Sequence, residues 1–126
     1  MAGARTLVAV AVLLVCLSIE AQSAEYSITA LGTLPDYPEG SLATAINGHS
    51  QVVGVSYKVV EDAYGNYSFY DHAFLWNSGL MIGLGTLGGD NSYASGINSL
   101  QQVVGQSNTV AGDKHAFLWQ NGQMTD

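Results

Sequence analysis

Two histidines, His72 and His115, open the same block, His-Ala-Phe-Leu-Trp, once in each half of the chain. A histidine titrates near neutral pH, and its ring nitrogens can move a proton or bind a metal. The recurrence favours another role. A residue demanded by every unit answers a structural need common to every unit, and an imidazole at a strand start can hydrogen-bond a neighbouring loop. Phe74, Trp76, Phe117 and Trp119 pose the same choice. They could stack a sugar, whereas aromatics at repeated strand positions usually pack a core. Unrepeated chemistry lies in residues 58–71, which carry Tyr64, Tyr67, Phe69 and Tyr70 among acidic and small residues. Long unrepeated loops on a regular scaffold are where binding lodges. The alternative for this stretch is a hairpin extension without a ligand.

The carboxylates are scattered. Asp36 and Glu39, then Glu61, Asp62 and Asp71, then Asp90 and Asp113 fall between the apolar runs. Calcium needs clustered loop oxygens, and Gly88-Gly89-Asp90-Asn91-Ser92 is oxygen-rich. It meets no calcium-loop spacing, and Asp90 suits an Asx-turn ahead of the next strand. Calcium is the one cofactor left open; no other is indicated. Glycoside hydrolysis needs two facing carboxylates, and nothing selects a pair. No nucleophile elbow, phosphate loop or zinc signature appears. The formal net charge of −7 repels phosphate backbones and anionic headgroups, which argues against nucleic acid as a partner.

The elements that would position these residues are read from an internal repeat. Leu31-Gly32-Thr33-Leu34 returns as Leu84-Gly85-Thr86-Leu87, and Ser41-Leu42-Ala43-Thr44-Ala45-Ile46-Asn47 as Ser92-Tyr93-Ala94-Ser95-Gly96-Ile97-Asn98. Gln51-Val52-Val53-Gly54-Val55-Ser56 returns as Gln102-Val103-Val104-Gly105-Gln106-Ser107, followed by the two histidine blocks. The first copy is longer near Pro35 and Pro38, and longer again between Ser56 and His72. Each copy offers four strand-like runs, in the second copy 93–97, 102–107, 115–119 and 123–126. Asn47-Gly48, Ser78-Gly79 and Asn121-Gly122 are hairpin-turn signals requiring positive φ. No helical period of adequate length appears after the N-terminal segment.

The expected fold is therefore all-β: tandem four-stranded antiparallel units resembling β-propeller blades, with a small β-sandwich as the alternative. Val52-Val53 and Ala73-Phe74-Leu75-Trp76 read as inner strands apolar on both faces. Residues 24–83 form the first repeat with its leading strand and an inserted loop at 58–71. Residues 84–126 form the second, with a truncated last strand. Two blades cannot close a ring, so the reading allows a longer array, a homo-oligomer or a compact pair.

Residues 1–23 read as a signal peptide. Arg5 precedes an apolar run over 7–17, then a small-residue stretch with a cut after Ser23. The run is shorter than the ~20 residues of a spanning helix, so no membrane span is expected in the mature form. Lipidation at Cys16 is disfavoured because Val15 is not small. Cleavage removes the single cysteine, and with it any disulfide or thiolate site.

The ordered Leu-Gly-Thr-Leu, Gln-Val-Val-Gly and His-Ala-Phe-Leu-Trp blocks resemble the HAF family of extracellular repeats, named for the tripeptide His-Ala-Phe. The resemblance spans residues 31–126. It implies an exported protein, secreted, extracellular or periplasmic, and it carries over no catalytic residue. The chain departs from it in having few copies and no anchoring segment. The functional expectation is a non-catalytic module that scaffolds or binds a glycan or a protein. The alternatives are part of a propeller enzyme and an inert remnant.

Overall fold

In the computed structural model, residues 25–126 are described. The signal-peptide and cleavage-site readings lie outside the described residues. Eight strands follow one another: β1 (Gly40–Ile46), β2 (Val52–Glu61), β3 (Tyr67–Asn77), β4 (Leu80–Gly83), β5 (Gly88–Ile97), β6 (Val103–Thr109), β7 (Lys114–Gln120) and β8 (Gln123–Thr125). Each repeat makes one antiparallel sheet in simple sequential order, β1-β2-β3-β4 (sheet I) and β5-β6-β7-β8 (sheet II). Hairpins alone connect the strands within a sheet, which is the local pairing that short turn-separated runs favour.

The turns follow two plans. Ser78-Gly79 and Asn121-Gly122 have positive φ at both positions and join strands paired at Asn77↔Leu80 and Gln120↔Gln123, the expected two-residue hairpins. Asn47-Gly48 does not behave this way. The loop closes between the Asn47 N–H and the Gln51 carbonyl, and the left-handed residue is Ser50. Asn47 acts through its side chain, whose Oδ1 accepts the N–H groups of His49 and Gln51. Asn98 does the same for Leu100 and Gln102, with Gln101 left-handed. Asparagine is thus demanded here as an acceptor for the turn's own backbone.

The insertion after Ser56 takes the form of a hairpin extension rather than a long loop. Val59↔Phe69, Val60↔Ser68 and Glu61↔Tyr67 continue the β2–β3 ladder, so residues 58–71 are paired strand apart from the turn between Asp62 and Asn66. The Leu31-Gly32-Thr33-Leu34 block belongs to no strand and makes one isolated bridge, Leu34↔Tyr37. Nor does Asp90 precede a strand in an Asx-turn. It lies inside β5, which begins at Gly88.

Alternation along the strands explains the packing. Val53, Val55, Ala73 and Leu75 point to one face of sheet I, where they are buried. Sheet II covers that face with Ala94, Val103, Phe117 and Trp119, joined by Leu84. The other face of sheet I presents Val52, Phe74 and Trp76, packed under Leu31, Leu34 and Tyr37. Sheet I is therefore apolar on both faces, as its sequence indicated. Fully burying one such side chain contributes about 1.5–3 kcal/mol.

Repeated polar residues hold the Leu-Gly-Thr-Leu segments in place. Ser56 Oγ accepts the Leu34 N–H at 3.1 Å and donates toward the Tyr37 carbonyl at 2.8 Å. Ser107 Oγ accepts the Leu87 N–H at 2.9 Å. Ser41 and Ser92 donate to the Gly32 and Gly85 carbonyls, both at 2.6 Å. The glycines of the two Gln-Val-Val-Gly blocks have a steric origin. A β-bulge in β1 and in β5 brings a carbonyl across the sheet. A Cβ on Gly54 would lie 2.0 Å from the Leu42 oxygen, and one on Gly105 1.9 Å from the Tyr93 oxygen.

Candidate binding surface

The extended β2–β3 hairpin distributes the four candidate aromatics unequally. Register places Phe69 beside Val59, and Tyr67 beside Glu61, on the same face as Tyr57. Tyr67 and Phe69 are 61% and 65% exposed. Tyr64 stands in the turn, 91% exposed. Tyr70 faces the opposite side, paired with Lys58. The structure thus brings Tyr67 and Phe69 together, carries Tyr64 to the tip, and separates Tyr70 from them.

Asp62 organises the tip. Its Oδ1 accepts the N–H groups of Tyr64 and Asn66, and its Oδ2 accepts the Asn66 side-chain amide. Those donors favour the charged form and hold the Asp62 carboxyl below its ordinary range, the Asn66 amide contributing most. Gly65 supplies the left-handed residue, as Gly112 does between Thr109 and Asp113 in the second repeat. The insertion therefore lengthens both strands and keeps the turn plan.

The base of the hairpin is fixed to sheet II. The Asp71 N–H donates to Asn91 Oδ1 at 2.8 Å, and the Tyr93 hydroxyl donates to Asp71 Oδ2. Burial, then the Asp71 bond, push the Tyr93 hydroxyl up to about 12. Tyr57 lies over Gly40, where a Cβ would come within 2.4 Å of its hydroxyl oxygen.

On the opposite side, His72 stacks on Tyr37 with ring centroids 4.2 Å apart. The Lys58 ammonium lies 4.7 Å from the Tyr37 ring centre and 5.4 Å from that of Tyr70. Burial, then the Lys58 charge, lower the affinity of His72 for a proton, with Asp36 and Asp71 opposing. Tyr37 is pushed up by burial and by Asp36 and Asp90. His115 is placed differently. It is exposed, and its Nδ1 lies 2.7 Å from Asp126 Oδ2. The reason is local: Tyr37 belongs to the Pro35–Pro38 stretch by which the first copy exceeds the second.

Phe74, Phe117 and Trp119 are buried, and Trp76 is half-buried against the Leu34 cluster. Among the described residues no three His, Cys, Asp or Glu side chains gather where they could hold a metal. No helix among them is long and apolar enough to cross a membrane. Sequence reasoning passed over Tyr37, Lys58 and the buried serines. For Ser56 and Ser107 the available signal was their recurrence within an apolar block.

No protein-family model, no curated protein and no solved structure matches the chain.

Proposed function

We propose that the protein is an exported, non-catalytic β-repeat module that binds a neutral glycan with its long hairpin. The observation that carries this reading is the pair Tyr67 and Phe69, exposed on one face of a paired, braced ribbon. Two solvent-facing aromatic side chains two residues apart, on a backbone fixed by cross-strand hydrogen bonds, present an exposed apolar surface on one face of the ribbon. Preorganised aromatics lose little conformational entropy on contact. Flat rings suit the C–H faces of pyranose sugars. The net charge of −7 favours a neutral polymer over a phosphorylated or sulfated one. The resemblance to the HAF repeats supports export, where such polymers are met.

Retention of the chain on insoluble cellulose and chitin tests the reading. It predicts capture by at least one of the two. It also predicts a loss of at least about tenfold when Tyr67 and Phe69 are both replaced by Ser, a change of about 1.4 kcal/mol or more. Capture by none, or undiminished capture by the double variant, refutes it.

A further inference from the structure

The two repeats bury equivalent residues to different extents, and the differences fall on two opposite faces. In sheet I, Val53 and Ala73 are fully buried and Leu75 is 1% exposed. Their equivalents in sheet II are Val104, which is 50% exposed, Ala116, which is exposed, and Leu118, which is half-buried. At the other end of the pair the order reverses. Ser92 and Ala94 are buried at 0% and 2%, while Ser41 and Ala43 are exposed. Among the described residues, one end thus repeats the covered face of sheet I without its cover. The other repeats the covering face of sheet II without its target.

From this we infer that the Val104–Ala116–Leu118 face docks a second copy of this chain, head to tail, through that copy's Leu31–Ala43–Val52 face. The junction inside the chain shows what such a partner must present. Thr44 Oγ1 donates to the Ala94 carbonyl at 2.8 Å, Asn47 Nδ2 to the Asn98 carbonyl at 2.9 Å, and the Ala73 N–H to Ser92 Oγ at 3.0 Å. Every one of these groups has its equivalent at a free end. Ser95 stands for Thr44, Asn98 for Asn47 and Ala116 for Ala73. On the second copy the Ala43 and Asn47 carbonyls and Ser41 Oγ stand for the acceptors. Asn98 spends one amide hydrogen on Gln102 Oε1, as Asn47 does on Gln51, and the other is the one Asn47 uses across the junction.

The apolar parts agree as well. A shallow concavity of about 380 Å³ lies over Leu31, Ala43, Ile46 and Val52. Their equivalents Leu84, Ala94 and Val103 are in the core between the sheets, and Ile97 packs against it. Thr29, in the exposed segment 25–30 that belongs to no strand, also borders the concavity. Several substitutions weaken the copy-to-copy contact relative to the internal one: Gln106 stands where Val55 does and Gly96 where Ala45 does, and Lys114, Gly40 and Leu42 replace Asp71, Asn91 and Tyr93, whose hydrogen bonds join the sheets inside the chain. The contact is heterologous, so copies build a ring or an open chain according to whether the rotation closes.

Sedimentation equilibrium of the full chain over a range of concentrations tests this. Self-association is expected, with Val104→Glu and Ala43→Glu each weakening it at least about tenfold, because docking would bury an unpaired carboxylate. Val110→Glu, at an exposed turn residue, leaves it unchanged. Circular dichroism checks that each variant is folded, and either end alone reports if the other variant is not. The deciding mixture is V104E with A43E. Each keeps one intact end, so together they form a one-to-one dimer that grows no further. A wild-type chain that stays monomeric, association indifferent to both glutamates, or a mixture that forms no dimer overturns the inference.

Discussion

At the residue scale, buried hydroxyls and two glycines hold positions that apolar side chains could not. Ser56 is fully buried, and Ala there would leave the Leu34 N–H without a partner. Ser56→Ala and Ser107→Ala are each expected to lower stability by about 1–3 kcal/mol in urea unfolding, the cost of an unpaired buried group. Gly54→Ala meets the Leu42 carbonyl and is expected to cost about 1–3 kcal/mol or more, because the strand must shift. His72 gives a pH dependence whose sign follows from its lowered proton affinity. The unfolded chain takes up the proton near the ordinary 6.5 while the folded chain resists it, so stability falls as pH drops below that value. Urea midpoints measured across this range should fall less steeply in His72→Gln. These roles were only half legible beforehand. The repeat flagged the histidines as demanded and passed over the serines, and it could not say that His72 would stack on Tyr37 while His115 faced Asp126.

At the scale of elements, the hairpin β2–β3 shows how an insertion is accommodated. Lengthening both strands in register preserves the alternation of faces, whereas a one-residue slip would invert it. In-register removal of Val59, Val60, Ser68 and Phe69 is therefore expected to leave the unfolding midpoint within about 0.5 kcal/mol of wild type, since their surroundings are largely solvent. Removal of Val59 alone should be far more damaging. Circular dichroism with urea titration distinguishes the two. The tip answers to acid. Asp62 loses its acceptor charge as pH falls through its lowered value, and the amide resonances of Tyr64 and Asn66 should shift together in that range. Composition and spacing marked this segment as distinctive and allowed both a hairpin extension and a loop, but they did not choose between them, because aromatic and β-branched residues suit a ribbon and an ordered loop alike.

At the scale of the whole molecule, one core is built from both sheets. Val53, Ala73 and Leu75 meet Val103, Phe117 and Trp119, so neither sheet buries its apolar face alone. Both are expected to unfold in a single transition. In each chain retaining only Trp76 or only Trp119, tryptophan fluorescence and circular dichroism should give coincident urea curves. Phe117→Ala should destabilise both reporters together, by about 3–5 kcal/mol.

By itself the sequence determined the all-β class, the two four-stranded units and the site of the insertion. These follow from local properties: short apolar runs, turn residues with left-handed φ, and the recurrence of one pattern. Only the tertiary structure decided which faces are covered. Leu75 and Leu118 occupy the same place in the same five-residue block, and one is sealed while the other is half open. Burial depends on what a distant part of the chain places against a side chain, and sheet I has sheet II on that face, while no described residue seals the corresponding face of sheet II to the same degree.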